Sequence, residues 1–185
     1  MSITRIDNIF SQEEIDHINK VVLNNPTIVH NELGRIAGGG EGQWLLPETY
    51  TKLTDIARKV SGLPLGMDHA ITVEYSNLYG EPNLRTHVDG DTNDLIINIQ
   101  LEANTVWDMG LNLKTYTLSD NSALIFNANK EIHWRVHKEF KDGEYVRMMF
   151  VRFYNIENRS DYSHLPMDSN DEMFKEAREF RDSLR

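Results

Sequence analysis

His87-Val88-Asp89, together with a second histidine at position 133, is the part of this sequence that constrains fold and chemistry most. Alternate side chains of an extended chain point to the same side, so His87 and Asp89 project together while Val88 packs behind them. Two imidazole nitrogens and one carboxylate oxygen can bind a single metal ion. The three residues therefore predict a metal site held between two segments of a sheet.

The pattern of a histidine followed two residues later by an acid is weak evidence by itself. The segments His30–Glu32 and His137–Glu139 also match it. His87 alone lies between two segments rich in β-branched and aromatic residues, 70–79 and 94–101, which are typical of strands. This context favours His87 and Asp89, rather than the other two histidine–acid pairs, as metal ligands.

The composition excludes several classes of protein. Hydrophobic residues make up 39% and charged residues 26% of the 185 residues, which favours a globular domain over a disordered or membrane-spanning chain. We expect a cytoplasmic protein that does not interact with a membrane, because neither an apolar leader nor an apolar run of about 20 residues is present. A net charge of −10 disfavours nucleic acid as a partner. Without cysteine, the strong metal ligands are histidine and carboxylates.

Three segments have the pattern of helices. A capping box over Ser11–Glu14 starts the first at Ser11, and Pro47–Gly62 has the apolar spacing and end signals of the second. A second capping box, Ser169–Glu172, starts the third, whose apolar stripe is expected to pack against the sheet. That stripe comprises Met173, Ala177, Phe180 and Leu184. The glycine cluster Gly38–Trp44 is interpreted as a mobile loop or lid, with a binding element as the alternative.

The central part of the chain has the pattern of a β-sandwich or barrel, because short strand-like segments follow one another without intervening helices. These segments are 70–79, 94–101, 111–117, 122–127, 131–137 and 145–154. We expect a single domain over 1–185. Residues 1–69 would form a helical support with the glycine-rich loop, residues 70–154 the β core, and residues 155–185 an extension with a helix.

From residue 70 to residue 154 the chain resembles the 2-oxoglutarate and Fe(II)-dependent oxygenases, in particular short prolyl-hydroxylase-like members. The resemblance rests on the order of a strand, His87-Val88-Asp89, a strand, the apolar segment Ser122–Phe126, His133 and a final basic strand. It implies a mainly β fold with flanking helices around a double-stranded β-helix, which is a cupin-like jelly roll. It also implies that His87, Asp89 and His133 bind Fe(II), with 2-oxoglutarate and O2 as cosubstrates.

The choice of the distal histidine leaves one alternative open. His133 and His137 have the same strand parity and would face the same side of the sheet. His133 follows Phe126 at a spacing that resembles the family, whereas His137 lies beside the turn predicted over Lys138–Gly143. We favour His133 and keep His137 as the alternative.

By the same resemblance, a basic residue near the start of the last core strand binds the distal carboxylate of 2-oxoglutarate. Arg147 fits this role, because alternation places it on one face with apolar neighbours, and Arg152 then falls on the opposite face. Arg135 is the rival for the same carboxylate. Further contacts to the cosubstrate or substrate are expected from tyrosines and amides before and after the metal motif. These are Tyr75, Tyr79, Asn98 and Gln100.

The function implied by the resemblance is hydroxylation of an unactivated C–H bond with release of succinate and CO2. The substrate would be a prolyl residue of a peptide or protein, or a small metabolite. Two other classes remain open at this point, a non-catalytic cupin-like metal-binding module and a jelly roll without a metal. The sequence leaves the oligomeric state open.

Overall fold

The computed structural model describes residues 3–24, 28–89, 94–157 and 172–184, and its centre is a pair of packed antiparallel sheets. The larger sheet has the strand order β1 (Thr4–Asp7), β8 (Ser122–Phe126), β5 (Leu95–Ala103), β10 (Tyr145–Asn155), β4 (Leu65–Ser76), β3 (Arg35–Gly40) and β2 (Ile28–His30). The smaller sheet has the order β7 (Lys114–Tyr116), β6 (Met109–Leu111) and β9 (His133–Arg135). The helices are α1 (Gln12–Asn24), α2 (Pro47–Ser61) and α3 (Glu172–Asp182). The predicted jelly-roll architecture is confirmed.

The larger sheet buries both of its faces. On one face, Met149 and Val151 of β10 pack in a cluster with Ile18 of α1 and Leu53 of α2. On the other face, alternate residues of the same strand contact the smaller sheet, and these are Val146, Met148 and Phe150. Because β10 is apolar on both faces, strand parity cannot tell which face lies inside the jelly roll.

The capping box predicted at the start of α1 is present. The Ser11 amide donates to the Glu14 carboxylate (2.8 Å), and the Glu14 amide donates to the Ser11 hydroxyl (3.3 Å). The same carboxylate accepts from the Thr49 hydroxyl (2.7 Å) and from the Lys52 ammonium (2.6 Å) of α2. Glu14 therefore both caps α1 and joins it to α2, although its side chain is buried.

The helix predicted over Pro47–Gly62 is also confirmed. Pro47 occupies the first turn, where its missing amide costs nothing, and Gly62 ends α2 in the left-handed conformation with φ of 69°. No helix in the described ranges combines the length and the apolar character needed to cross a lipid bilayer.

The interpretation of Gly38–Trp44 as a mobile loop or lid is wrong for its first three glycines, whereas Gly42 lies in a bend beyond the strand. Gly38, Gly39 and Gly40 belong to β3, which pairs with β4. At Gly39, with φ of 108°, a Cβ would lie 2.6 Å from the Ala70 carbonyl oxygen. That oxygen accepts the Trp44 indole N–H (2.9 Å). The glycines therefore allow an indole to approach a paired strand closely.

Several strand boundaries differ from those predicted. The segment 111–117 is a hairpin of β6 and β7, because Asn112 has a φ of 54° and turns the chain. The segment 70–79 begins earlier, at Leu65, and ends at Ser76, before a short 3-10 helix over Asn77–Tyr79. Strands β1, β2 and β3 lie in a region that was predicted to provide only helices and a loop.

Helix α3 covers the outer side of the smaller sheet. Ala177 is buried in a cluster with Val88 and Trp134, and Phe180 packs against that cluster. Leu184 is 38% exposed and does not belong to the predicted stripe. Ser169 lies outside the described residues, as does the side chain of Met173. Because Val88 is the residue between His87 and Asp89, α3 supports the predicted metal motif from behind.

Replacement of Glu14 by alanine is expected to lower the free energy of unfolding by about 2 kcal/mol, because one buried carboxylate serves both helices. Burial alone would raise the pKa of Glu14, but Lys52, the Ser11 amide and Thr49 lower it. The stabilisation is therefore present at neutral pH and is lost as the pH falls through the lowered pKa. Urea unfolding measures the effect. Glu13→Ala, an exposed change on the same turn, is the control, and equal losses in both variants would contradict this role of Glu14.

Candidate metal centre

The segment that carries His87 is tied to β9 by a reciprocal pair of main-chain hydrogen bonds. The His87 amide donates to the His133 carbonyl (3.0 Å), and the His133 amide donates to the His87 carbonyl (2.9 Å). Two residues further on, the Asp89 amide donates to the Ala128 carbonyl (2.8 Å). These bonds place the two histidines directly opposite each other and fix the position of the aspartate beside them.

The three side chains converge on one point. The Nε2 atoms of His87 and His133 lie 3.5 Å and 3.6 Å from Oδ1 of Asp89, and the three ligand atoms lie within 4.8 Å of one another. Bonds of ~2.1 Å from each donor to one divalent ion require separations of about 3 to 4 Å. Asp89 and His133 are buried, while His87 is partly exposed, so the cluster has one open side.

The hydrogen bonds of the two imidazoles prepare their Nε2 atoms for a metal. Nδ1 of His87 lies 2.7 Å from the Arg85 carbonyl oxygen, and Nδ1 of His133 lies 2.9 Å from that of Glu131. A carbonyl oxygen can only accept, so each Nδ1 carries a proton, and in the neutral tautomer that this contact selects each Nε2 has a lone pair for a metal. Oδ2 of Asp89 is buried without a hydrogen-bond partner among the described residues. This donor set fits a divalent metal ion.

The charge states support the same conclusion. Burial would raise the pKa of Asp89, but the contacts with His133 and His87 and the nearby Arg152 hold it well below its ordinary value. Burial and the adjacent His87 lower the pKa of His133. At neutral pH the cluster therefore offers a carboxylate anion together with a neutral buried imidazole, which are the protonation states that a metal requires.

A cavity opens on the metal cluster, and some of the predicted contact residues line it. Tyr75 and Asn98 do so, together with the three proposed ligands. Asn98 donates to the Met109 sulfur (3.4 Å), and its side-chain oxygen is buried without a partner among the described residues. Two arginines that were not predicted as site residues, Arg35 and Arg152, also face this cavity.

The structure does not bring Arg147 to the cluster. Its guanidinium donates to Glu74 (2.6 Å) and to Glu102 (2.7 Å). The prediction chose the wrong face of β10, because apolar residues occupy both faces of that strand. The residue of β10 that reaches the cluster is Arg152, which was predicted to lie on the opposite face from the site.

Arg135, the rival of Arg147, is buried inside the jelly roll. Its guanidinium donates to the Trp107 carbonyl (2.6 Å), contacts the Met148 sulfur (3.3 Å) and lies over the Trp107 ring, 5.0 Å from the centroid. No carboxylate of the described residues forms an ion pair with it. Burial lowers the pKa of Arg135 to about 10, so the group is still a cation at neutral pH.

The remaining predicted contacts lie away from the cluster. Tyr79 donates to Glu74 (3.0 Å), and Gln100 donates to Asp120 (3.1 Å). His137, the alternative distal ligand, is exposed and does not belong to the group of possible metal ligands in the described part of the chain. The structure therefore brings His133, and not His137, to His87 and Asp89.

Sequence reasoning missed Arg35 and Arg152 for different reasons. Arg152 carried a usable signal, its parity on the last strand, but the choice of face was reversed. Arg35 carried no local signal, because it lies on β3 in the region predicted to be helices and a loop. It reaches the cavity because β3 pairs with β4 in a register that places Arg35 opposite Tyr75.

No protein-family profile matches this sequence, and a search of curated proteins also finds no match. Solved structures do share the fold. A collagen prolyl hydroxylase from Paramecium bursaria Chlorella virus-1, in complex with 2-oxoglutarate, aligns with a TM-score of 0.61 and 11% identity over 83% of this chain and 96% of that chain.

Two further solved structures show the same similarity. SnoN, a non-heme α-ketoglutarate-dependent epimerase from nogalamycin biosynthesis, aligns with a TM-score of 0.66 and 10% identity over 83% of this chain and 78% of that chain. HygX from Streptomyces hygroscopicus, with nickel and 2-oxoglutarate bound, aligns with a TM-score of 0.61 and 8% identity over 83% of each chain. The fold of this chain is that of the 2-oxoglutarate and Fe(II)-dependent oxygenases.

The cluster is expected to bind one equivalent of Ni(II), measured by isothermal titration calorimetry on metal-free protein. His87→Ala, Asp89→Ala and His133→Ala should each weaken binding by more than about 100-fold, because each removes a donor from a set of three. His137→Ala is the matched control and should leave the affinity unchanged. A large loss in His137→Ala with full affinity in His133→Ala would reverse the assignment.

Proposed function

We propose that this protein is an Fe(II)- and 2-oxoglutarate-dependent oxygenase. The observation that carries the proposal is the cluster of His87, Asp89 and His133, whose free donor atoms converge at a cavity of the jelly roll. Two histidines and one carboxylate on one side of an ion leave coordination positions open, which is the arrangement used by non-heme Fe(II) oxygenases. The structures that share the fold include one described as α-ketoglutarate-dependent and two with 2-oxoglutarate bound.

Bound iron would supply the oxidising power, drawn from O2 and the oxidative decarboxylation of 2-oxoglutarate to succinate and CO2. The protein would contribute position and environment. The carbonyl oxygens of Arg85 and Glu131 hold the imidazoles in the tautomer that binds metal. Ile96 and Phe150 keep the buried part of the cavity apolar, which favours a reaction protected from water.

Arg135 is proposed to bind the distal carboxylate of 2-oxoglutarate. A buried guanidinium without a carboxylate partner is costly unless an anion joins it. Arg135 borders a second cavity that shares Leu84 with the metal cavity, and its amide donates to the Leu84 carbonyl (3.0 Å). Trp107 joins the two sites, because it contacts the Arg135 guanidinium and packs edge-on against Tyr75 (4.9 Å). Arg147 already has two carboxylate partners and is not needed for this role.

The reaction proposed is hydroxylation of an unactivated C–H bond, with a prolyl residue or a small metabolite as substrate. Tyr75 and Asn98 line the metal cavity and are proposed to contact the cosubstrate or substrate. The oxygenase fold also serves other outcomes, since one of the similar structures is described as an epimerase. The alternative is a non-catalytic metal-binding module, and the next experiment distinguishes it from an oxygenase.

The experiment is the anaerobic addition of Fe(II) and then 2-oxoglutarate to the metal-free protein, followed by exposure to O2. A weak visible charge-transfer band should appear in the native protein and be absent in His87→Ala, because chelated 2-oxoglutarate needs the complete metal site. Consumption of O2 that depends on 2-oxoglutarate, with succinate formed, would then identify an oxygenase. A protein that binds Fe(II) but gives neither the band nor succinate would be a metal-binding module.

Arg135→Gln is expected to weaken 2-oxoglutarate binding by about thirtyfold, the ratio corresponding to loss of a buried charge pair worth ~2 kcal/mol. Titration of the charge-transfer band measures this affinity. Arg147→Gln is the matched control, because it removes an arginine that is paired with Glu74 and Glu102. It should lower the urea midpoint and leave 2-oxoglutarate affinity unchanged. If only Arg147→Gln weakened 2-oxoglutarate binding, Arg147 would be the residue that binds the distal carboxylate.

A further inference from the structure

Two arginines from different strands of the larger sheet face the metal cavity. Arg35 extends from β3, beside Tyr75, and Arg152 extends from β10, beside Asp89. Asp89, which is itself a metal ligand, is the sole carboxylate among the described residues that line this cavity. A chain with a net charge of −10 thus has a cavity lined by an excess of cations.

Both arginines have donors that the described residues leave unused. Arg35 donates through Nη1 to the Tyr75 hydroxyl (3.0 Å), while its Nε is buried and has no partner among the described residues. Nε of Arg152 is also buried without a hydrogen bond to the described part of the chain, and it lies 3.7 Å from Oδ2 of Asp89. The side chain of Arg152 is 35% exposed and has this carboxylate nearby, whereas Arg35 forms no ion pair with a carboxylate of the described residues. Buried charged donors are normally paired, so Nε of Arg35 in particular indicates an anion that enters the cavity.

The proposed metal and 2-oxoglutarate do not supply this anion. With neutral histidines, Arg35, Arg152 and Arg135 together exceed Asp89 by two positive charges. A divalent metal adds two positive charges and dianionic 2-oxoglutarate adds two negative charges, so the excess of two remains. Arg135 is included because the distal carboxylate of 2-oxoglutarate is assigned to it. Another anion is therefore needed to complete the charge balance of the cavity.

We propose that the substrate is a small carboxylic acid whose carboxylate binds Arg35, with Arg152 as the second cation of the cavity. This inference rests on the proposed function and specifies the substrate class of the same site. A planar guanidinium matches a carboxylate with two parallel hydrogen bonds. Ile71, Ile96 and Phe150 form the apolar part of the same lining, which suits an aliphatic carbon held near the metal. The unpaired Nε is fully buried, so the acid has to enter the cavity, which a free small molecule can do.

The test uses acetate as the anionic probe and acetamide as the neutral probe of the same shape. The full chain is loaded with Co(II), with and without saturating 2-oxoglutarate, and the visible Co(II) absorption is recorded at constant ionic strength. Acetate should give a saturable change with 2-oxoglutarate bound, and acetamide should give none. Arg35→Gln should weaken the acetate response by about tenfold, in keeping with loss of a hydrogen bond to a charged group. Its affinity for 2-oxoglutarate should stay unchanged.

Two further variants separate the charge of Arg35 from its surroundings. Arg35→Lys keeps a cation and should recover part of the acetate affinity. Arg5→Gln removes an exposed charge from β1, outside the lining of both cavities, and should bind acetate normally. An unchanged 2-oxoglutarate titration in each variant verifies that the site is intact.

Three results would overturn the inference. An acetate response equal in the native protein and in Arg35→Gln would mean direct binding to the metal. A loss of 2-oxoglutarate affinity in Arg35→Gln would assign Arg35 to the cosubstrate. The absence of a saturable acetate response would mean that no anion site exists. Failure of the proposed oxygenase function would give a different result from these three. In that case 2-oxoglutarate would not bind at all, but the acetate response of the Co(II) form would still depend on Arg35.

Discussion

The reciprocal main-chain hydrogen bonds between His87 and His133 are the constraint on which the rest of the site depends. They join a segment without regular secondary structure to β9 and set the two imidazoles side by side, with ring centroids 4.1 Å apart. A shift of one residue in this pairing would turn His133 away and present Trp134 instead. Trp134 also fixes this register. Its indole lies against Gly110 of β6, and a Cβ at residue 110 would overlap the ring. Helix α3 packs on Val88 and Trp134 and closes this arrangement.

The burial of Asp89 explains why the site has to bind a cation. Its carboxylate is 8% exposed, yet one oxygen has no hydrogen bond among the described residues and the other faces two imidazole nitrogens. A buried anion with so few donors is stable only when a positive charge is close. Arg152 is too distant to be a full partner, and a divalent ion would complete the coordination. The same reasoning, with the sign reversed, supports the anions proposed for Arg135 and Arg35.

The sequence predicted those parts of the fold that local signals determine. The start of α1 at Ser11, the end of α2 at Gly62 and the pair His87 and Asp89 each depend on neighbours in the chain. What depends on the tertiary arrangement was not predictable. The glycines of β3 looked like a loop, because the indole that requires them comes from Trp44 and lies on β4. The prediction placed Arg147 rather than Arg152 on the face of β10 that carries the site. The two faces could not be told apart, because helices on one face of the sheet make that face as apolar as the interior of the jelly roll.

An anaerobic crystal structure with Fe(II) and 2-oxoglutarate, using anomalous scattering at the iron edge, would locate the metal and the cosubstrate together. We expect a single iron bound by Nε2 of His87, Nε2 of His133 and a carboxylate oxygen of Asp89. We also expect 2-oxoglutarate bound to that iron, with its distal carboxylate on Arg135. Iron bound elsewhere, or a distal carboxylate on Arg147 or Arg35, would disprove the proposed site.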